Sequence, residues 1–371
     1  MARHALSIRT IVVCMDFTPA SDRALLYARR FAVHYGARLL LVHIVDPAAV
    51  SPDEMDAHLA LRDMIDSAKT DIQNICAELA GNALECNWIV RHGNVRDMIL
   101  DAARENQADL IVLGSKGMAL TGRSSFGTVA EQLVRAAPCP VLTVVPEARW
   151  QELEDGHRRL LLVPTDFSEA SHAGLVYALA FAQSVGGSLL LVHAVAYHPV
   201  VGPIAGQLAE LRAKGMQMLL AHAQAAHVEA ESIVRAGDPG EIILELARER
   251  KPDYIVMGVR GGDLADGTRL HGRVKELMHR SPCPVLSIYS GKSWGTTSSK
   301  APEKVSETMS VPRQSAATHP VVGNPPRMYG LNAGLPECCR TTLAWLWKLR
   351  GRWSTMGAWR CHGIQDLNQS F

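Results

Sequence analysis

This chain has almost no surplus of charge, no long apolar run and no spaced cysteine pair, and each shortage removes a class of function. Its 38 basic residues face 37 acidic ones, for a net charge of +1. No strong field therefore draws it to nucleic acid or to an anionic lipid surface. No apolar stretch approaches the roughly 18–20 residues that a membrane span needs. The opening MARHALSIRT has no long apolar core, so no signal peptide is expected. The eight cysteines form no C-x2-C pair and no metal-ligand spacing. Cys139 and Cys283 each sit between prolines and read as small core residues. Thiols without a pairing pattern fit a reducing, cytoplasmic compartment. Walker A, G-x-G-x-x-G and H-E-x-x-H sequences are all missing, which leaves the chemistries tied to them unsupported.

What the chain does have is an echo. Residues 11–45 and 161–195 are identical at 17 of 35 positions when set 150 residues apart. ADLIVLGSKG from Ala108 returns as PDYIVMGVRG from Pro252, and APCPVLTV from Ala137 as SPCPVLSI from Ser281, now 144 residues apart. The second copy is thus six residues shorter between its second strand and the counterpart of Arg91. A unit of about 145 residues is too long for a solenoid repeat and is the size of a globular domain. The expected division is a first domain over 1–148, a second over 156–290 and a low-order tail over 291–371.

Each copy alternates strand and helix. Ile11–Met15, Leu39–Val45, Asn87–Arg91, Leu110–Leu113 and Val141–Val145 read as strands. Between them, residues 20–35 place Leu25, Ala28 and Ala32 on one helical face before Gly36 closes the helix. A longer helix spans roughly 54–80, another carries Val95, Met98, Ile99 and Ala102, and a last one covers 128–136. The expected fold is two tandem doubly wound α/β domains, each a five-stranded parallel sheet in the order 3-2-1-4-5. Its ligand crevice lies beyond the carboxyl ends of strands one and four, where the order reverses.

Strand one ends at Asp16, and strand four runs into Gly114-Ser-Lys-Gly117, nine further residues, and then Gly127-Thr128 opening a helix. Gly114 and Gly117 allow a close backbone approach. The helix start at Gly127 and Thr128 offers free N–H groups and a positive dipole end to an anion. Lys116 and Arg123 can offset phosphate charge. Asp16 can accept bonds from an amine or a ribose hydroxyl, or it can cap the helix ahead of Thr18 and Ser21. Backbone groups near Val42 can meet a base edge. His43 and His193 read as hydrogen-bonded histidines rather than catalytic bases.

On these residues the chain resembles a tandem universal stress protein, a family of adenine-nucleotide-binding domains of adenine-nucleotide alpha-hydrolase-like fold, whose loop motif is G-x2-G-x9-G-[ST]. Gly114, Gly117, Gly127 and Thr128 match it, with Asp16 and Val42 at the family's aspartate and adenine-contacting valine. The resemblance implies ATP as ligand, optionally with Mg2+. It also implies a stress-response role by nucleotide-dependent binding or signalling, and pairing of domains through their fifth strands, within the chain or as a homodimer. A slow ATPase and an interaction protein that binds no nucleotide are the alternatives. The second copy keeps Asp166, Val192, Gly258 and Gly261, but ten residues precede Gly272 and Arg273 replaces Ser or Thr. His271 stands where the motif needs glycine, and Asp263 and Asp266 would repel phosphate. A degenerate second site is expected.

After Ser290 the composition turns to Ser, Thr, Pro and Lys without periodicity, which reads as disorder. Residues 341–361 hold four of the seven tryptophans. TLAWLWKLRGRW there reads as unstructured or as a short amphipathic or membrane-touching helix.

Overall fold

The structure, a computed structural model, describes residues 6–49, 57–115, 128–148, 158–195, 203–259 and 272–289. The expected tail lies outside the described residues. In the first half, β1 (Thr10–Cys14), β2 (Arg38–Val45), β3 (Cys86–His92), β4 (Leu110–Gly114) and β5 (Val141–Val144) alternate with α1 (Pro19–Tyr35), α2 (Ala57–Gly81), α3 (Val95–Glu105) and α4 (Thr128–Ala136). The second half repeats this with β6 (Leu160–Pro164), β7 (Ser188–Val195), β8 (Ala230–Ala236), β9 (Tyr254–Val259) and β10 (Val285–Tyr289). Its helices are α5 (Glu169–Val185), α6 (Pro203–Ala225), α7 (Pro239–Arg250) and α8 (Gly272–Arg280).

The internal strands are short apolar runs buried on both faces, as in TIVVC of β1 and LIVLG of β4. The repeated sequence becomes repeated capping. Thr18 accepts the Ser21 backbone N–H at the start of α1, and Ser168 accepts that of Ser171 at the start of α5. Gly36 and Gly186 end the same two helices at φ of 64° and 65°, a left-handed conformation that side chains disfavour.

The ten strands form one sheet in the order β3-β2-β1-β4-β5-β10-β9-β6-β7-β8. Within each half all pairs are parallel and follow the doubly wound order 3-2-1-4-5. Between the halves β5 and β10 run antiparallel, with Leu142 opposite Leu286 and Thr143 opposite Val285. The carboxyl ends of the two sets of strands therefore lie at opposite ends of the sheet. One face packs a shared core in which Leu133 of α4 and Leu277 of α8 meet Val141 and Val285. On the opposite face α1 meets α5. Phe31 stacks on Phe181 at 5.4 Å, and the Tyr35 hydroxyl lies 2.6 Å from that of Ser184.

One cysteine finding departs from the sequence-based expectation. Cys76 of α2 and Cys86 of β3 form a disulfide across a Cα separation of 5.5 Å. The tight turn through Asn82–Leu84 folds the helix end back beside the strand, a proximity that a ten-residue spacing does not announce. Cys139 and Cys283 are buried and take part in no disulfide.

Candidate functional site

The crevice of the first half is built where β1 and β4 part. These strands pair directly, with Val13 opposite Val112, so Asp16 and Gly114 leave them side by side. The chain beyond β1 makes a tight turn. Phe17 takes φ of 58°, an uncommon and costly conformation for a bulky residue. Asp16 Oδ1 accepts both the backbone N–H of Thr18 at 3.2 Å and its hydroxyl at 2.6 Å. Thr18 in turn caps α1. Asp16 thus braces the helix start from the crevice side, which is the capping role open to it in the sequence. Val42 is buried, and its carbonyl accepts the Met15 N–H at 2.9 Å.

Below the turn, His43 donates Nδ1–H to the Met15 carbonyl at 2.8 Å, and its ring lies 4.8 Å from that of Phe17. The second half copies this. His193 donates to the Thr165 carbonyl at 2.8 Å under Phe167, itself at φ of 60°. Both histidines serve as struts for the turn. The Asp-Phe pair common to both copies is the sequence sign of this left-handed turn, and its phenylalanine is a crevice residue that the loop motif does not include. Cys14 lies just upstream. Burial, with Asp16 adding its charge, pushes its thiol up to about 12, so it stays protonated and is a poor nucleophile at neutral pH.

Gly114 ends β4 for a reason different from the one its motif suggests. A Cβ placed there would lie 2.7 Å from Ala20 Cβ and 2.8 Å from the Ala20 carbonyl carbon. The glycine admits the first turn of α1 against the strand end. Ser115 follows, buried, with its N–H on the Val144 carbonyl at 2.8 Å and its hydroxyl without a partner among the described residues. Lys116, Gly117, Arg123 and Gly127 lie outside the described residues. The helix α4 opens at Thr128, as the motif requires.

The second crevice is tighter. Asp166 Oδ1 accepts the Ser168 N–H at 2.9 Å, and Val192 accepts that of Thr165 at 2.8 Å. A Cβ on Gly258 would fall 1.6 Å from the Ala170 carbonyl oxygen, and one on Gly174 would fall 2.5 Å from the Gly258 nitrogen. α5 therefore lies directly on the end of β9. Phe167 is buried beneath Gly215 of α6, where a Cβ would come within 2.7 Å of its ring, whereas Phe17 is half-buried. Gly261, Asp263, Asp266 and His271 lie outside the described residues, and Gly272 begins α8.

Residues 7–145 and residues 157–288 each match the model of the Universal stress protein family. The chain belongs to the universal stress protein family. A Thermus aquaticus universal stress protein is 32% identical over 136 residues, which cover 37% of this chain and 98% of that protein. A Mycolicibacterium smegmatis relative is 25% identical over 289 residues, covering 75% of this chain and 96% of its own, so the tandem arrangement is shared. An Archaeoglobus fulgidus universal stress protein of known structure aligns over 77% of this chain and 98% of its own, with a TM-score of 0.61 and 19% identity, a likeness of fold. Among the described residues no cluster of His, Cys, Asp and Glu could hold a metal ion, and no helix is long and apolar enough to cross a membrane.

The buried His193 is expected to make the protein less stable in acid. Burial lowers its pKa below the ordinary 6.5, against the opposing hydrogen bond to Thr165. The unfolded chain takes up a proton at that residue near pH 6.5, and the native chain only at lower pH. Stability from this residue is thus complete above about pH 6.5 and is lost as pH falls below it. Denaturant midpoints are expected to drop between about pH 7.5 and about pH 5.5. The drop should be smaller in His193→Gln, and an unchanged slope in that variant would show that other groups carry it.

Proposed function

We propose that the first half binds ATP in the crevice between β1 and β4, that the second half binds none, and that the protein works in a cytoplasmic stress response through binding and signalling rather than fast turnover. The observation that supports this most is the direct pairing of β1 with β4, which brings Asp16 and Gly114 to one switch point, together with the intact G-x2-G-x9-G-T sequence that leads from Gly114 to α4. In this arrangement the N–H groups at Gly127 and Thr128 and the Thr128 hydroxyl hold phosphate oxygens, with Lys116 and Arg123 offsetting charge. Asp16 meets the ribose, and backbone at Val42 meets the adenine edge. The second half, residues 156–290, serves folding and pairing. Its phosphate loop is broken in sequence, and Gly258 and Phe167 are covered by neighbouring helices. The junction of β5 with β10 stands in for the homodimer that a single-domain relative of this kind would need.

Titration calorimetry should find close to one ATP per chain. Thr128→Val removes a charge-assisted hydrogen bond worth about 1.5–3 kcal/mol, so ATP should weaken roughly 10- to 100-fold. Adenosine, which lacks phosphates, should be almost indifferent to the substitution. Two equal sites per chain, or equal weakening of adenosine, would overturn this assignment.

A further inference from the structure

On the face that carries α1 and α5 the two halves leave a half-open cavity of about 500 Å³ between them. Its buried wall is aromatic. Tyr254 stands edge-on to Phe31 and Phe181 at 5.9 and 5.3 Å, and those two rings stack on each other. Its charged lining is arginine. Arg29 and Arg30 of α1 face Arg159 at the foot of β6, with His34 and Tyr35 beside them, and no carboxylate lines the cavity among the described residues. Arg159 is already paired with Asp253 at 3.4 Å, whereas Arg29 makes no ion pair among the described residues. Burial lowers the pKa of Arg30, the setting in which a cation is most stabilised by an incoming anion.

An aromatic wall under a cationic rim selects a ligand with an apolar body and one negative end. Bases also stack on rings and phosphates pair with arginines, so displacement by ATP is one outcome of the test below. We infer that this cavity is a second ligand site, distinct from the ATP crevice, that takes a monoanionic amphiphile such as an alkyl carboxylate. The α1 residues that line it begin at Leu26, roughly 10 Å along the helix axis from the Pro19 start that borders the first crevice. Arg159 and Tyr254 mark the amino ends of β6 and β9, away from the second crevice. Because both halves furnish the walls, the ligand bridges them, and its binding strengthens their pairing.

The test is a calorimetric titration of the full chain with dodecanoate and with dodecanol, both below their aggregation concentrations. One saturable site per chain for dodecanoate is expected, with dodecanol at least about tenfold weaker. Arg29→Glu turns attraction into repulsion at a half-exposed position and should weaken dodecanoate by about tenfold without unfolding the chain. Saturating ATP should leave dodecanoate affinity unchanged, which keeps this site separate from the fate of the ATP assignment. No saturable dodecanoate binding would overturn the inference. Equal affinity for dodecanoate and dodecanol, an unaffected Arg29→Glu variant, or displacement by ATP would do the same.

Discussion

Gly258→Ala should destabilise the protein by ~4 kcal/mol, more than the ~1–3 kcal/mol typical of an overfilled core. The added methyl would sit 1.6 Å from the Ala170 carbonyl oxygen, 2.2 Å from its carbon and 2.9 Å from the Ser171 nitrogen. All three are backbone atoms of the first turn of α5, so no side chain can rotate to relieve the clash. The helix must lift off β9, which also loosens Phe167 and the buried His193 beneath it. Gly206→Ala is the matched control. That glycine lies inside α6 with nothing within 4 Å of a Cβ, and alanine there should stabilise by about 0.5–1 kcal/mol. Denaturant unfolding of the two variants should therefore move in opposite directions. A change under about 1 kcal/mol at position 258 would mean that α5 is not held against the strand.

Phe181→Ala should cost about 3–5 kcal/mol, the range for emptying a buried aromatic site. The side chain is 2% exposed and touches Phe31 from the first half as well as Tyr254 from the second. Its loss is expected to separate the unfolding of the halves, so that one cooperative transition becomes two. A double-mutant cycle with Phe31→Ala should return a coupling of about 0.5–1.5 kcal/mol, the increment for an aromatic pair beyond its buried area. A coupling near zero, with a single unchanged transition, would mean that the halves do not unfold as one body through this contact.

Much of the fold was legible because its elements are local. The apolar runs of β1 and β4, the Thr18 and Ser168 caps and the closing Gly36 and Gly186 each follow from a few neighbouring residues, and the internal repeat confirmed every element twice. The strand order followed from right-handed crossovers and the doubly wound pattern. Other features depend on residues distant in sequence. The contact of Gly114 with Ala20 requires knowing how close α1 lies to β4, and periodicity carries no such distance. The Cys76–Cys86 bond depends on where α2 ends and how its turn folds. The cavity between α1 and α5 exists only once both halves are placed, so no window of sequence marks Arg29 and Tyr254 as neighbours. At the crevice, the sequence marked Asp16 and Gly114 through the strand ends that deliver them. It did not mark Phe17, because a left-handed phenylalanine is against local preference and is imposed by the packing around it.

The antiparallel seam between β5 and β10 gives the chain a front and a back. A ligand or partner reaching the first crevice approaches one end of the sheet, and anything reaching the second approaches the other. One lid could not cover both, and one rigid support could not occupy both. Under the ATP assignment proposed above, a chain held on an immobilised ATP analogue would be gripped by its front alone, with its back turned to the solution.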